Sequence, residues 1–290
     1  MENTKHAYLI IAHRNDENFQ TLLKMLDHPE NDIFIHFDIK NEAYRPEETA
    51  DLPENSRIYH TKRTDVRWGS FSQINAELLL LRLAVRTGHY RYYHLISGQD
   101  LPIKTQDEIH RILADSDREY VDIDQNDGSW EYRVRYYQFW SPRLSIKENE
   151  ERRKRIQEKE DRLHIRRGKN IQFRKGANWF SITDDFARYI VSKERWIRLH
   201  FFMTICADEV FLQTVLWNSP FRTRLNDASQ SGTRTGNCRE IDWTRGNGMN
   251  PHIFTMEDLE MLKNSRAFFA RKFDCEADSR IIQEAARLWG

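Results

Sequence analysis

The chain has 290 residues, and its 45 Lys+Arg balance 45 Asp+Glu, so net charge creates no demand for nucleic acid or an anionic membrane as partner. That length provides one large domain or two small ones, with ample chain for a core. The three cysteines, Cys206, Cys238 and Cys275, are odd in number and fit no zinc spacing, which points to reduced thiols in a reducing compartment. Met1-Glu2-Asn3-Thr4-Lys5-His6 shows no signal-peptide pattern, and no apolar run reaches membrane-spanning length.

Ala7-Tyr8-Leu9-Ile10-Ile11-Ala12 is a continuous apolar run, as a strand buried on both faces requires. It stops at His13-Arg14. A helix from about Asn15 to Leu26 follows, with Phe19, Leu22, Leu23 and Leu26 on one face. Ile33–Phe37 is a second strand closed by Asp38, and Ile58-Tyr59 a short third. Strand, helix, strand at this spacing begins a nucleotide-binding α/β layer. A carboxylate after the second strand is where such layers often hold a ribose or base; Asp38 reads equally as a turn residue. There is no glycine-rich phosphate loop, so neither dinucleotide binding nor a P-loop is supported. Trp68 either walls a cleft or fills the core. Ser72 can cap a helix running to Thr87, with Ile74, Leu78, Leu81 and Val85 as its buried stripe.

Tyr93–Ser97 is the next strand. Ser97-Gly98-Gln99-Asp100-Leu101-Pro102 then turns, and Thr105 caps a helix at Gln106-Asp107-Glu108. Ligands of open α/β sheets bind outside the carboxyl ends of strands, which places Asp100 at the mouth of a cleft, on a turn held by Gly98 and Pro102. Glu119–Asp124 reads as a strand. Its Asp122 and Asp124 either hold Mn²⁺ or Mg²⁺ against a diphosphate or point to solvent from one face. Trp130–Trp140 interleaves aromatics with arginines, which suits a sugar-binding loop, a single-stranded nucleic-acid platform or plain core packing. Residues 147–175 are the most charged stretch: a solvated helix and loop, or a contact for an anionic membrane.

In the last third, Asn178–Ile182 is a strand and Thr183 caps the helix after it. Cys206-Ala207-Asp208-Glu209 opens a helix that stops at Asn218-Ser219-Pro220. The two acids favour the helix dipole, or one supplies a general base. Ile241–Gly246 is a loop carrying Trp243 and Arg245, and His252–Phe254 a strand. Phe268–Asp274 sets two cations among aromatics, where each needs an anion: a bound phosphate or an internal carboxylate.

Ser97–Pro102, Asn178–Ser181, Asp208-Glu209 with Asn218–Phe221, Asp242-Trp243 and Phe269–Asp274 occur in the order seen in the core-2/I-branching β-1,6-N-acetylglucosaminyltransferases, glycosyltransferase family 14, which also holds the protein xylosyltransferases. The chain resembles that family over most of its length. The resemblance implies an α/β, A-type glycosyltransferase fold: a Rossmann-like nucleotide-binding sheet flanked by helices. It implies one catalytic domain over 1–290, with a nucleotide-binding half to about 125 and an acceptor- and diphosphate-binding half beyond. It implies inverting, metal-independent transfer from a UDP-sugar to a glycan hydroxyl, with no cofactor. GlcNAc is the family's commonest donor sugar and xylose its exception. By motif, Glu209 is the general base and Lys272 neutralises the diphosphate, with Arg245 as companion cation. Asp38 holds the uridine with His13 beside it, Asp100 lies near the donor sugar, and Trp243 stacks on the acceptor. Set against the animal members, the expectation is a chain without their anchor, stem and disulfide cysteines. The expectation is a cytoplasmic enzyme acting on a glycan or lipid-linked oligosaccharide, with 147–175 as a peripheral membrane contact and no nucleic-acid partner. Two other readings stay open: a metal-dependent transferase using Asp122 and Asp124, and a non-enzymatic glycan- or RNA-binding module.

Overall fold

The computed structural model describes residues 4–50, 52–124, 128–139, 145–233, 235–248 and 250–290. Met1-Glu2-Asn3 and Trp140, the last aromatic of its stretch, lie outside them.

The apolar runs near the N-terminus form the middle of a five-stranded sheet. The strands are β1 (His6–Ala12), β2 (Asn31–Phe37), β3 (Arg57–His60), β4 (Tyr92–Ser97), β5 (Asp100–Pro102), β6 (Phe180–Thr183), β7 (Arg239–Ile241) and β8 (Phe269–Arg271). The main sheet has the order β3-β2-β1-β4-β6, parallel except for β6, which runs antiparallel to β4. A second sheet has the order β5-β8-β7. The expected Rossmann-like α/β layer is therefore present. Both sheets draw strands from each half of the chain, so the halves are interleaved.

Alternation along β1 divides the core between two faces. Tyr8, Ile10 and Ala12 face the helices Glu17–Met25 and Cys275–Trp289, meeting Phe19, Leu22, Ile281 and Ile282. Ala7 and Leu9 face the helix Phe71–Thr87, meeting Ile74, Leu78 and Leu81. Burial on both sides explains why β1, β2 and β4 read as unbroken apolar runs.

Local chemistry sets the boundaries. Thr105 caps its helix in a reciprocal box with Glu108. Thr183 caps Asp184–Ser192. Ser70, not Ser72, caps Phe71–Thr87 by accepting from the Ser72 N–H. Two expected strands do not form. Glu119–Asp124 contributes only single bridges at Glu119 and Tyr120, because the following residues pair with a loop, through Asp124 N–H to Lys175 O. His252–Phe254 is irregular chain pinned by N–H bonds to Asp242 O and Lys272 O.

In the arginine–aromatic stretch, cations cover several rings, while Tyr132, Tyr137 and Phe139 stay exposed. Arg153 lies over Tyr132, Arg166 over Tyr136 and Arg167 over Tyr137, at 5.0, 4.4 and 4.6 Å from the ring centres. Trp130 is buried. The basic segment thus covers ring faces that a nucleic-acid platform would need free. No helix among the described residues is long and apolar enough to cross a membrane.

Candidate functional site

Strand order in the main sheet reverses at β1 and β4, since β2 and β3 lie to one side of β1 and β4 and β6 to the other. Such a switch point opens a crevice at the carboxyl ends of the strands. His13 and Arg14 follow β1, Asp38 follows β2, and Ser97-Gly98 ends β4. Gly98 is needed by close approach: a Cβ there would sit 3.3 Å from both Ala12 Cβ and Phe19 Cδ2. Its N–H donates to Ile11 O, which draws the end of β4 onto β1.

Asp100 is 1 % exposed. It does not stand at an open mouth on a free turn, because Asp100–Pro102 is a strand paired with β8. Its carboxylate accepts from Ser97 N–H and Ser97 Oγ, both at 2.9 Å, and from Arg271 Nη1 at 2.6 Å. Arg271 also lies over Trp179, 4.5 Å from the ring. Asp100 therefore acts by fixing Arg271; its own oxygens are spent. Of the two cations read in Phe268–Asp274, Arg271 has the internal carboxylate. The other, Lys272, has no hydrogen-bond or ion-pair partner for its ammonium among the described residues. Burial, then Arg271 and Arg14, push its pKa down, with Asp274 and Asp100 opposing. A half-buried ammonium facing other cations favours an incoming anion.

His13 stands beside that ammonium, and Asp38 beside His13. Burial lowers the His13 pKa, with Arg14 and Lys272 adding to the effect and Asp16 and Asp38 opposing it. Asp38 is buried and holds Lys40 twice, through the backbone N–H at 2.9 Å and Nζ at 3.1 Å. Arg14 is drawn in by Asp274 at 2.8 Å. Arg245 has a different placement. Its Nε meets Asp242 at 2.6 Å and its Nη1 meets Asp258 at 2.7 Å, so it braces the loop after β7. Arg14 and Arg271 are the arginines in electrostatic contact with Lys272. The sequence marked Arg271 as a cation among aromatics, but Arg14 only as the end of the first strand. Trp243, on the same loop as Arg245, is 57 % exposed, and Trp68 is 82 % exposed.

Glu209 ends a short 3-10 turn, Ala207–Glu209, ahead of the helix Phe211–Trp217. Two cations hold its carboxylate: Arg133 at 3.0 Å and Lys175 at 3.6 Å. Lys175 also meets Asp124 at 3.0 Å, and Ala177 N–H donates to Asp122 at 3.1 Å. Gly176 N–H donates to Glu209 O. No side chain fits at Gly176, where a Cβ would lie 2.0 Å from Asp122 O. This segment leads directly to Trp179 and so links Glu209 to the Arg271–Lys272 pair.

Two further acids lie behind Glu209. Asp208 is buried, accepts from Gln73 Nε2 at 3.0 Å, and leaves Oδ1 unpartnered. Burial, with Glu209 beside it, pushes its pKa up to about 7. Glu77 is fully buried with both oxygens unpartnered, and burial with Asp208 nearby raises its pKa well above the carboxylate range. Of the two, the sequence had singled out Asp208 beside Glu209; the signal for Glu77 is a carboxyl at the centre of the apolar stripe Ile74–Leu81.

A family model described as Core-2/I-Branching enzyme matches residues 6–263. The chain belongs to the Core-2/I-branching enzyme family. It is 26 % identical over 298 residues to xylosyltransferase 2 of Rattus norvegicus, covering 96 % of this chain and 33 % of the relative. It is 22 % identical over 290 residues to β-glucuronosyltransferase GlcAT14A of Arabidopsis thaliana, covering 93 % and 61 %. A human β-1,3-galactosyl-O-glycosyl-glycoprotein β-1,6-N-acetylglucosaminyltransferase is 31 % identical over 110 residues, 37 % of this chain and 26 % of the relative. The chain thus spans between a third and three-fifths of the length of the first two. All three are named as glycosyltransferases, the enzyme class the motifs imply. A solved galactosyltransferase, LgtC with donor and acceptor sugar analogues, aligns over 97 % of this chain and 95 % of its own, at 11 % identity and a TM-score of 0.35.

Proposed function

We propose that this chain is an inverting glycosyltransferase that moves a sugar from a UDP-sugar to a glycan hydroxyl without a divalent metal. The observation that carries the proposal is the unpartnered Lys272 ammonium at the sheet's switch point, with His13 beside it and Asp38 beside His13. In the reaction the acceptor oxygen bonds to the anomeric carbon as Glu209 takes its proton. The bond from that carbon to the β-phosphate oxygen breaks, and its electron pair leaves with UDP. Attack opposite the leaving group inverts the centre. Charge builds on the departing diphosphate, and a fixed cation aimed at that charge stabilises the transition state. UDP leaves without a proton, so one carboxylate suffices, unlike the paired carboxylates of hydrolases.

Asp38 and His13 are assigned to the uridine end, and Lys272 to the diphosphate. Arg14 and Arg271, which lie in electrostatic contact with Lys272, take the companion role first expected of Arg245. Trp243 is assigned to the acceptor. GlcNAc is our first choice of donor sugar, although the named relatives transfer different sugars. A metal site at Asp122 and Asp124 is disfavoured by its donor set, because the Lys175 ammonium lies between Asp124 and Glu209. A reducing, cytoplasmic setting fits three free cysteines. A panel of UDP-sugars, each incubated with and without glycan acceptors in chelator, tests the reading. Release of UDP from one sugar, accelerated by acceptor, supports it; no turnover of any UDP-sugar counts against it.

A further inference from the structure

At the opposite end of the sheet from the crevice, histidines gather in a stack. His110 lies 3.9 Å from His6 and 4.8 Å from His28 between ring centres, and His6 continues to His94 at 5.0 Å. Glu30, in the loop before β2, faces His110, with Oε2 3.8 Å from Nδ1. One atom from each of His28, Glu30 and His110 lies within 4.8 Å of the others, and all three side chains are partly accessible.

The protons on these rings can be placed. Asn31 donates its amide N–H groups to Leu26 O and Gln106 Oε1, so its Oδ1 accepts from His110 Nε2–H at 2.8 Å. Asp107, as a carboxylate, accepts from His28 Nε2–H at 3.1 Å. Both imidazoles therefore keep a lone pair on Nδ1. His110 Nδ1 points at the Glu30 carboxylate, and His28 Nδ1 takes only the Glu30 backbone N–H at 3.1 Å, a bond that ligation would replace. An outer hydrogen-bond acceptor on each distal nitrogen is the arrangement that orients histidine ligands around a metal.

We propose that His28 Nδ1, His110 Nδ1 and a Glu30 oxygen form a binding site for a borderline-soft divalent cation of the zinc class. Two imidazoles and a carboxylate are a zinc donor set, with water as the fourth ligand. Tetrahedral zinc bonds of about 2.0–2.1 Å place donors roughly 3.4 Å apart. Closing from the present spread requires rotation of the side chains, chiefly that of the partly accessible Glu30, whose Oε1 now accepts from Thr4 Oγ1 at 2.5 Å. The cation would tie the loop ahead of β2 to the helix Gln106–Leu113. The site is remote from the transfer chemistry, because the seven residues of β1 span roughly 20 Å between His6 and His13.

The experiment is titration of ZnCl₂ into the untagged, metal-stripped chain at pH 7.5 with a chromophoric competitor, repeated with CoCl₂ to read its visible absorption. One tight equivalent per chain is expected. His28→Ala should weaken it at least about 100-fold and Asp107→Asn about 10-fold, with sugar transfer unchanged. His110 packs on His6, so His110→Ala could misfold; Glu30→Gln, at the surface, provides the second ligand test and should also weaken binding. No stoichiometric zinc on the wild-type chain, or equal affinity in His28→Ala and Glu30→Gln, overturns the proposal.

Discussion

Replacing Glu209 by Gln keeps the shape of the side chain and removes its ability to accept a proton. The structure separates two consequences. Glu209 is 39 % exposed at its side chain, and its partners Arg133 and Lys175 are 26 % and 21 % exposed. Ion pairs that open to solvent are worth roughly 0.2–1 kcal/mol, and Lys175 retains Asp124, so unfolding stability should fall by less than about 1 kcal/mol. A positioned general base contributes 100- to 10,000-fold, or roughly 3–5 kcal/mol of barrier. The chemical effect therefore exceeds the structural one several-fold. The assay measures acceptor-dependent UDP release alongside UDP affinity and urea unfolding. Transfer should fall at least about 100-fold with UDP affinity and stability near wild type. A Glu209→Gln enzyme with full transfer would refute the base assignment, and one that is unfolded would refute the energetic separation.

Asp208→Asn should change how stability depends on pH. The folded Asp208 carboxyl titrates near 7 against an ordinary 3.8, so between those values the native chain holds a proton that the unfolded chain has released. Stability from this group falls as pH rises through that window, by on the order of 4 kcal/mol at most. Urea unfolding at pH 5 and pH 8 should show a smaller drop in the Asn variant; equal drops would contradict it. Gly176→Ala puts a methyl into Asp122 O and should cost roughly 1–3 kcal/mol, while a wild-type melting curve would show that the loop yields. Trp243→Ala should raise the KM for acceptor and leave UDP affinity alone; an unchanged acceptor KM removes Trp243 from the site. Wild-type chain should bind anionic liposomes at low salt through 147–175, and indifference to them would end the membrane reading.

The strands and most caps were legible because single-residue patterns determine them: unbroken apolar runs for β1, β2 and β4, and Thr105 with Glu108 for a helix start. The Glu119 and His252 segments misled because their apolar content packs against loops, which periodicity does not distinguish from a sheet. Motifs alone put Glu209 and Lys272 forward as candidate site residues. Partners contributed across long separations were not. Arg133 and Lys175 reach Glu209 from 76 and 34 residues away along the chain, with no local spacing to announce them. Asp100 illustrates the converse: the turn was recognised, but only the pairing of β5 with β8 shows that the carboxylate is spent on Arg271.

The claim that a side-chain ammonium replaces a divalent ion at the diphosphate is tested most directly by UDP affinity, measured calorimetrically in chelator and again with Mn²⁺, for wild type and Lys272→Ala. The account predicts wild-type binding that ignores Mn²⁺ and a loss of about tenfold or more in Lys272→Ala, since a charged contact to an anion is worth roughly 1.5–3 kcal/mol. Binding that requires Mn²⁺ and is indifferent to Lys272 would contradict it.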